Sequence, residues 1–104
     1  MIYERTIHKY ELEITDVQTI EMPVGSEILS IQEQRDHLVL WAIVYNDVLD
    51  QLEPHKFYVV GTGNPVPEPD DDPDKWPAAL VYCATVQTKG GRAAWHVFTE
   101  IDIW

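Results

Sequence analysis

A chain of 104 residues with 45% hydrophobic and 24% charged side chains has the balance of one globular domain: too short for two cores, too apolar for disorder. Its formal net charge of −11 repels phosphate backbones and anionic lipid, which argues against direct nucleic-acid binding and against a membrane role and points to cationic partners. Cys83 is the single cysteine, which excludes an intrachain disulfide or a thiolate cluster.

The dominant hydrophobic period is two. "YELEI" alternates Tyr10, Leu12 and Ile14 with Glu11 and Glu13, the pattern of a half-buried strand. A second short strand spans Gln18 to Met22, before the Pro23 and Gly25 turn, and a third spans Glu27 to Gln34. "RDH" then supplies a tight turn into "LVLWAIVY", Leu38 to Tyr45, eight residues in a row that read as a central strand covered on both faces. Asn46 to Glu53 offers a cap followed by Val48, Leu49 and Leu52 at helical spacing, which predicts a helix of a turn or two ended by Pro54. "HKFYVVGTG" resumes extended structure. The last two strands are Ala79 to Gln87 and Ala94 to Ile103, joined across Gly90-Gly91, which suits the positive φ angles of a two-residue hairpin turn. Cys83 sits inside the apolar run "LVYCATV" and reads as a buried, inert thiol. Six or seven short strands predict an all-β, antiparallel sandwich or barrel in one domain, residues 1–104.

The one long irregular stretch is "GTGNPVPEPDDDPDKWP", Gly61 to Pro77. It is a poor phosphate loop: Pro65 and Pro67 remove backbone N–H donors, and Glu68, Asp70, Asp71, Asp72 and Asp74 oppose an anion. The acids lack the spacing of a helix–loop–helix calcium site. A Pro-stiffened, solvated loop is the reading that remains. Trp76, the only large aromatic in it, would either plug the edge of the core or anchor a partner.

No catalytic constellation emerges. His8, His37, His55 and His96 form neither an HxH nor an HxxxH pair, so no metal site is expected, and His96 reads as a structural or surface residue. Neither Ser26 nor Ser30 sits in a nucleophile elbow. The expectation is a protein that is not an enzyme and uses no cofactor. The seven Lys and Arg residues are dispersed; were Lys9, Lys56 and Arg92 to converge near Gly61, Thr62, Gly63 and Asn64, they would make a local pocket for a nucleotide-like anion. The N-terminal "MIYERTIHKYE" lacks a signal-type apolar run, and no segment approaches the roughly eighteen apolar residues of a membrane span, which predicts a cytosolic protein.

"HKYELEITDVQTIEMPVGSEILSIQEQ", "LVLWAIV", "FYVVGTGNPVP" and "TVQTKGGRAAWHVF" together resemble a family of small uncharacterised proteins encoded mainly by bacteriophages and prophages. The resemblance covers about residues 7–98 and is carried by Lys9, Asp16, Gln18, Pro23, Gly25, Gln32, Gln34, Trp41, Gly61, Gly63, Pro65, Gln87 and His96. It carries over no catalytic role. The acidic run after Pro67 and the terminal "TEIDIW" depart from the family pattern. What the resemblance implies is a phage-type accessory protein in the cytoplasm of an infected bacterial host, binding and inhibiting a host or defence component, an anti-CRISPR activity being one example of that class. Asp70, Asp71, Asp72, Asp74 and Trp76 would then meet a basic surface on the partner. A small-ligand binder or sponge and a structural virion component are the alternatives. Open strand edges and an apolar tail ending at Trp104 allow a homo-oligomer.

Overall fold

The computed structural model describes residues 4–68 and 78–102. They form seven antiparallel strands: β1 (Arg5–Leu12), β2 (Gln18–Pro23), β3 (Glu27–Gln34), β4 (His37–Tyr45), β5 (Leu52–Gly61), β6 (Ala78–Thr88) and β7 (Ala93–Asp102). A three-stranded sheet has the order β1-β4-β3, and a four-stranded sheet the order β2-β5-β7-β6. The expected all-β architecture is therefore present, as two sheets sharing one core.

The core follows from alternation. On β4, Leu38, Leu40, Ala42 and Val44 are wholly buried, so the odd-numbered residues Val39, Trp41, Ile43 and Tyr45 point the other way. Directly opposite residues share a face, so Leu12 and Tyr10 face inward beside Leu38 and Leu40, while Glu11 and Lys9 face outward beside Val39 and Trp41. From the second sheet, Met22, Phe57, Val59, Val86 and Val97 complete the same cluster. Each of these buried aliphatic or aromatic side chains contributes about 1.5–3 kcal/mol by leaving water. Three chain crossings stitch the sheets, since β1 is followed by β2 in the opposite sheet, β2 by β3 back in the first, and β4 by β5.

Four sequence expectations need correction. The first strand ends at Leu12, and Ile14, expected on its buried side, is 47% exposed in the connection to β2. The expected helix over Asn46–Glu53 is a single 3-10 turn, Asn46–Val48, with no side-chain cap. Pro54 does not terminate it but lies within β5, opposite Glu21 of β2. A proline is tolerated there because β7 accompanies β5 only from Phe57 onward, leaving the first half of β5 with a neighbour on one side. Finally, Thr88 pairs with Ala93, so the last hairpin closes through four residues, Lys89 to Arg92, rather than two. Lys89, Gly90 and Gly91 all have positive φ, so the conformation expected of the glycines extends one residue upstream.

The "RDH" turn is a two-residue link: Gln34 pairs with His37, and Arg35 (φ 51°) and Asp36 (φ 65°) are both left-handed, the geometry of a type I′ hairpin. The Asp36 Oδ1 accepts the Lys89 N–H at 2.8 Å, tying this hairpin to that of β6 and β7. Both hairpins and the Thr62–Asn64 turn thus lie at one end of the sandwich; the Val24–Ser26 and Asn46–Gln51 connections lie at the other.

Candidate functional site

Charge is unevenly divided between those ends. The end built from the chain before β1, the start of β3 and the connection from β4 to β5 carries Glu4, Glu27, Asp47, Asp50 and Glu53, with Glu21 on the adjoining part of β2. Arg5 is the only Lys or Arg at that end among the described residues. Among the described residues these carboxylates have no Lys or Arg partner. The Glu53 Oε1 takes the Gly25 N–H at 3.3 Å and lies 3.4 Å from the His55 Nε2. That second approach lacks the direction of a hydrogen bond, since the His55 Nε2 has no hydrogen-bond partner. Glu4 takes a long 3.4 Å bond from the Asn46 side-chain amide. Among the described residues the one carboxylate within ion-pair distance of a Lys or Arg is Glu100, whose Oε2 lies 3.6 Å from the Lys56 Nζ.

The outward face of the four-stranded sheet holds a different arrangement. The His96 Nε2 lies 2.8 Å from the Thr62 Oγ1, and its Nδ1 lies 3.0 Å from the Thr85 Oγ1. The Thr85 hydroxyl is in turn 2.7 Å from the Tyr82 hydroxyl. Both ring nitrogens are therefore occupied by hydroxyls, and one of them must donate to a hydroxyl oxygen whichever tautomer holds. Farther along, the Tyr58 hydroxyl donates to the Glu100 Oε2 at 2.8 Å, and the Lys56 Nζ sits 5.8 Å from the Tyr58 ring centre. Burial and the hydrogen bond to Glu100 push the Tyr58 hydroxyl above its ordinary pKa. Burial alone would lower that of Lys56, but Glu100 and Tyr58 outweigh it and leave it raised. This is a closed polar network: each cation and hydroxyl is committed to a neighbour.

Gly61 ends β5 against Trp95; a Cβ there would stand 3.2 Å from the Trp95 Cζ3 and 3.0 Å from the Asn64 Nδ2, a close fit that would require both side chains to shift by a few tenths of an ångström. Thr62, Gly63 and Asn64 form the turn that follows, closed by the Asn64 N–H to the Gly61 carbonyl at 3.0 Å. Thr62 alone of the four reaches a chemically active side chain, His96. Lys9 and Lys56 point away from the core on opposite sheets, so the whole sandwich separates them. Arg92 lies in the β6–β7 turn. The three cations do not converge. Asp70, Asp71, Asp72, Asp74, Trp76 and Trp104 lie outside the described residues. Cys83 is half-buried at a bulge between Tyr82 and Ala84, and burial pushes its thiol pKa up, consistent with an unreactive thiol.

Lys9 has other neighbours that the sequence did not announce: Gln34, Arg35 and His37, brought beside it by antiparallel pairing with β4 and by the β3–β4 hairpin. The tight "RDH" turn was visible in the sequence, but which strand lay alongside it was not. Among the described residues no three His, Cys, Asp or Glu side chains stand close enough to hold a metal ion, and no helix is long and apolar enough to cross a membrane.

Against known families, the profile described as Domain of unknown function (DUF7352) matches residues 3–103. No curated protein and no solved structure matches the chain.

Proposed function

The chain belongs to the DUF7352 family, whose description assigns no activity, and on that premise we propose that it is a non-enzymatic accessory protein, of bacteriophage type, that binds and inhibits a cationic host or defence protein in the cytoplasm of an infected bacterium. The observation that carries this reading is the acidic end of the sandwich. Glu4, Glu21, Glu27, Asp47, Asp50 and Glu53 are gathered on rigid strand ends and their connections, and none lies within ion-pair distance of a Lys or Arg among the described residues. A surface of one sign raises encounter rates with the opposite sign and rejects nucleic acid. The aspartates of the 70–74 run add four more charges of the same sign.

Affinity capture from infected-cell lysate tests the reading. The wild-type chain should retain a basic protein at low salt and release it as salt rises. A variant carrying Glu27→Gln, Asp47→Asn and Asp50→Asn should lose it, and a second variant neutralised at Asp70, Asp71, Asp72 and Asp74 separates the two acidic patches. Capture that survives both sets of substitutions would falsify an electrostatic docking role.

A further inference from the structure

The outward face of the three-stranded sheet carries a concavity of about 400 Å³ at its hairpin end, lined by Lys9, Glu11, Gln34, Arg35, His37 and Val39. Its volume falls within the range of small-molecule sites. Val39 forms the floor: it points away from the core yet is only 4% exposed, because the longer side chains around it fold over it. Lys9 and Glu11 come from β1, Gln34 from β3, Arg35 from the turn and His37 from β4, so three neighbouring strands and a hairpin turn fix the rim.

The charges on this rim are oriented but not cancelled. The Lys9 Nζ donates to the Gln34 Oε1 at 3.1 Å and lies 5.7 Å from the centre of the Trp41 ring; both partners hold an ammonium in place without neutralising it. Arg35 has no carboxylate within ion-pair distance among the described residues. Its neighbour Asp36 is turned to the Lys89 N–H instead. Glu11 is the one carboxylate on the rim, and its Oε1 is engaged by the His37 Nδ1 at 2.8 Å. Arg35 also stands at φ 51°, a conformation in which an Arg is disfavoured relative to Asn or Gly. An arginine kept at a strained turn, with a lysine beside it and no carboxylate within ion-pair distance of either among the described residues, is what an external oxyanion requires: a planar fork for two oxygens and a point charge for a third.

We propose that Lys9, Gln34, Arg35 and His37 form a receptor for a small oxyanion, a phosphate or a carboxylate, on the outer face of the three-stranded sheet. The net charge of the chain does not preclude it. The acidic end lies at the far end of the nine-residue β4, roughly 25–30 Å away at the rise of a strand, which is more than two Debye lengths at 0.1 M salt. The local field is therefore set by the charges of the hairpin end itself: Lys9 and Arg35 against Glu11, which His37 engages, and Glu33 and Asp36, each of which accepts a backbone N–H of the two hairpins. The site is independent of the acidic docking surface and stands or falls separately from it.

The test is an amide chemical-shift titration of the full chain with sodium phosphate and, separately, with sodium succinate, at constant ionic strength against chloride. The expected result is a saturable shift confined to Lys9, Gln34, Arg35 and His37 with at least one of the two; which one saturates identifies the oxyanion. Arg35→Gln and Lys9→Met should each weaken binding by about tenfold or more, and Lys56→Met on the opposite sheet should leave it unchanged. Arg35→Lys, which keeps the charge and removes the fork, serves if the glutamine variant does not fold. Absence of saturation with either anion, or affinity that Arg35→Gln or Arg35→Lys and Lys9→Met leave intact, overturns the proposal.

Discussion

Tyr58 shows how single residues set the conditions under which this fold persists. Its ring is almost fully buried on the outward side of β5, and its hydroxyl is spent on Glu100. Ionising it would bring a phenolate against a carboxylate, which is why its pKa is raised above 10.0 by burial first and by Glu100 second. Burial likewise raises Tyr10 above 10.0 and Cys83 above 9.0, and Lys56 is raised above 10.5, Glu100 and Tyr58 outweighing burial. The sign is the same for all four. Each group holds its proton more tightly folded than unfolded, so the stability it contributes is complete below the unfolded pKa and is lost as pH rises through the folded one. The melting temperature should be insensitive to these groups up to about pH 9 and fall steadily above it, with Tyr58→Phe reducing the slope between about pH 10 and 11. The same substitution should cost about 1.5–3 kcal/mol at neutral pH, because it removes the phenolic donor and leaves the Glu100 carboxylate only the Lys56 ammonium at 3.6 Å. Thermal melts across the alkaline range check both statements. A melting temperature that climbs with pH in that range would contradict the assignment.

Elements were legible where one rule governed them. Apolar residues between turn signals marked β2 at Gln18 and β3 over Glu27–Gln34, and the apolar run after "RDH" marked β4, since burial on one or both faces dictates residue type along a strand. Failures occurred where tertiary pairing overrode local preference. Val48, Leu49 and Leu52 have helical spacing, but β5 is needed to bridge β2 and β7, and pairing recruits the chain from Leu52 onward. The concavity by Lys9 was illegible for the same reason: its walls come from strands whose order in the sheet, β1-β4-β3, no local pattern encodes. The 70–74 acidic run and Trp76, conspicuous in the sequence, fall outside the described residues. The β3–β4 hairpin converts this into a measurement. Asn is better suited than Arg to the left-handed position 35, so Arg35→Asn should raise stability by about 0.5–1 kcal/mol while abolishing saturable phosphate or succinate binding. Denaturant melts and the titration on the same sample read the two effects. A variant that is less stable would show that Arg35 serves the turn rather than a ligand.

At the scale of the molecule, the distribution of charge is a cost to the fold. Six carboxylates at one end of the sandwich face one guanidinium among the described residues, and the chain as a whole carries −11. Confining like charges in a compact state raises its free energy relative to the unfolded chain, in which they can separate. Salt relieves the repulsion: the Debye length falls from about 30 Å at 0.01 M to about 8 Å at 0.15 M. Stability should therefore increase with sodium chloride over that range, and a gain of about 1 kcal/mol would appear as roughly 4–8 °C in the melting temperature. The triple variant Glu27→Gln, Asp47→Asn and Asp50→Asn should start higher at 0.01 M and gain less from salt, because part of the repulsion has been removed. That comparison bears on function as well as on stability. If the neutralised chain is more stable and still folds into the same two sheets, those carboxylates do not serve the architecture, and loss of partner capture by the same variant assigns them to recognition. If the neutralised chain is instead less stable at every salt concentration, the acids hold the β4–β5 connection and the Val24–Ser26 turn in place, and their gathering at one end has a sufficient cause in the fold itself.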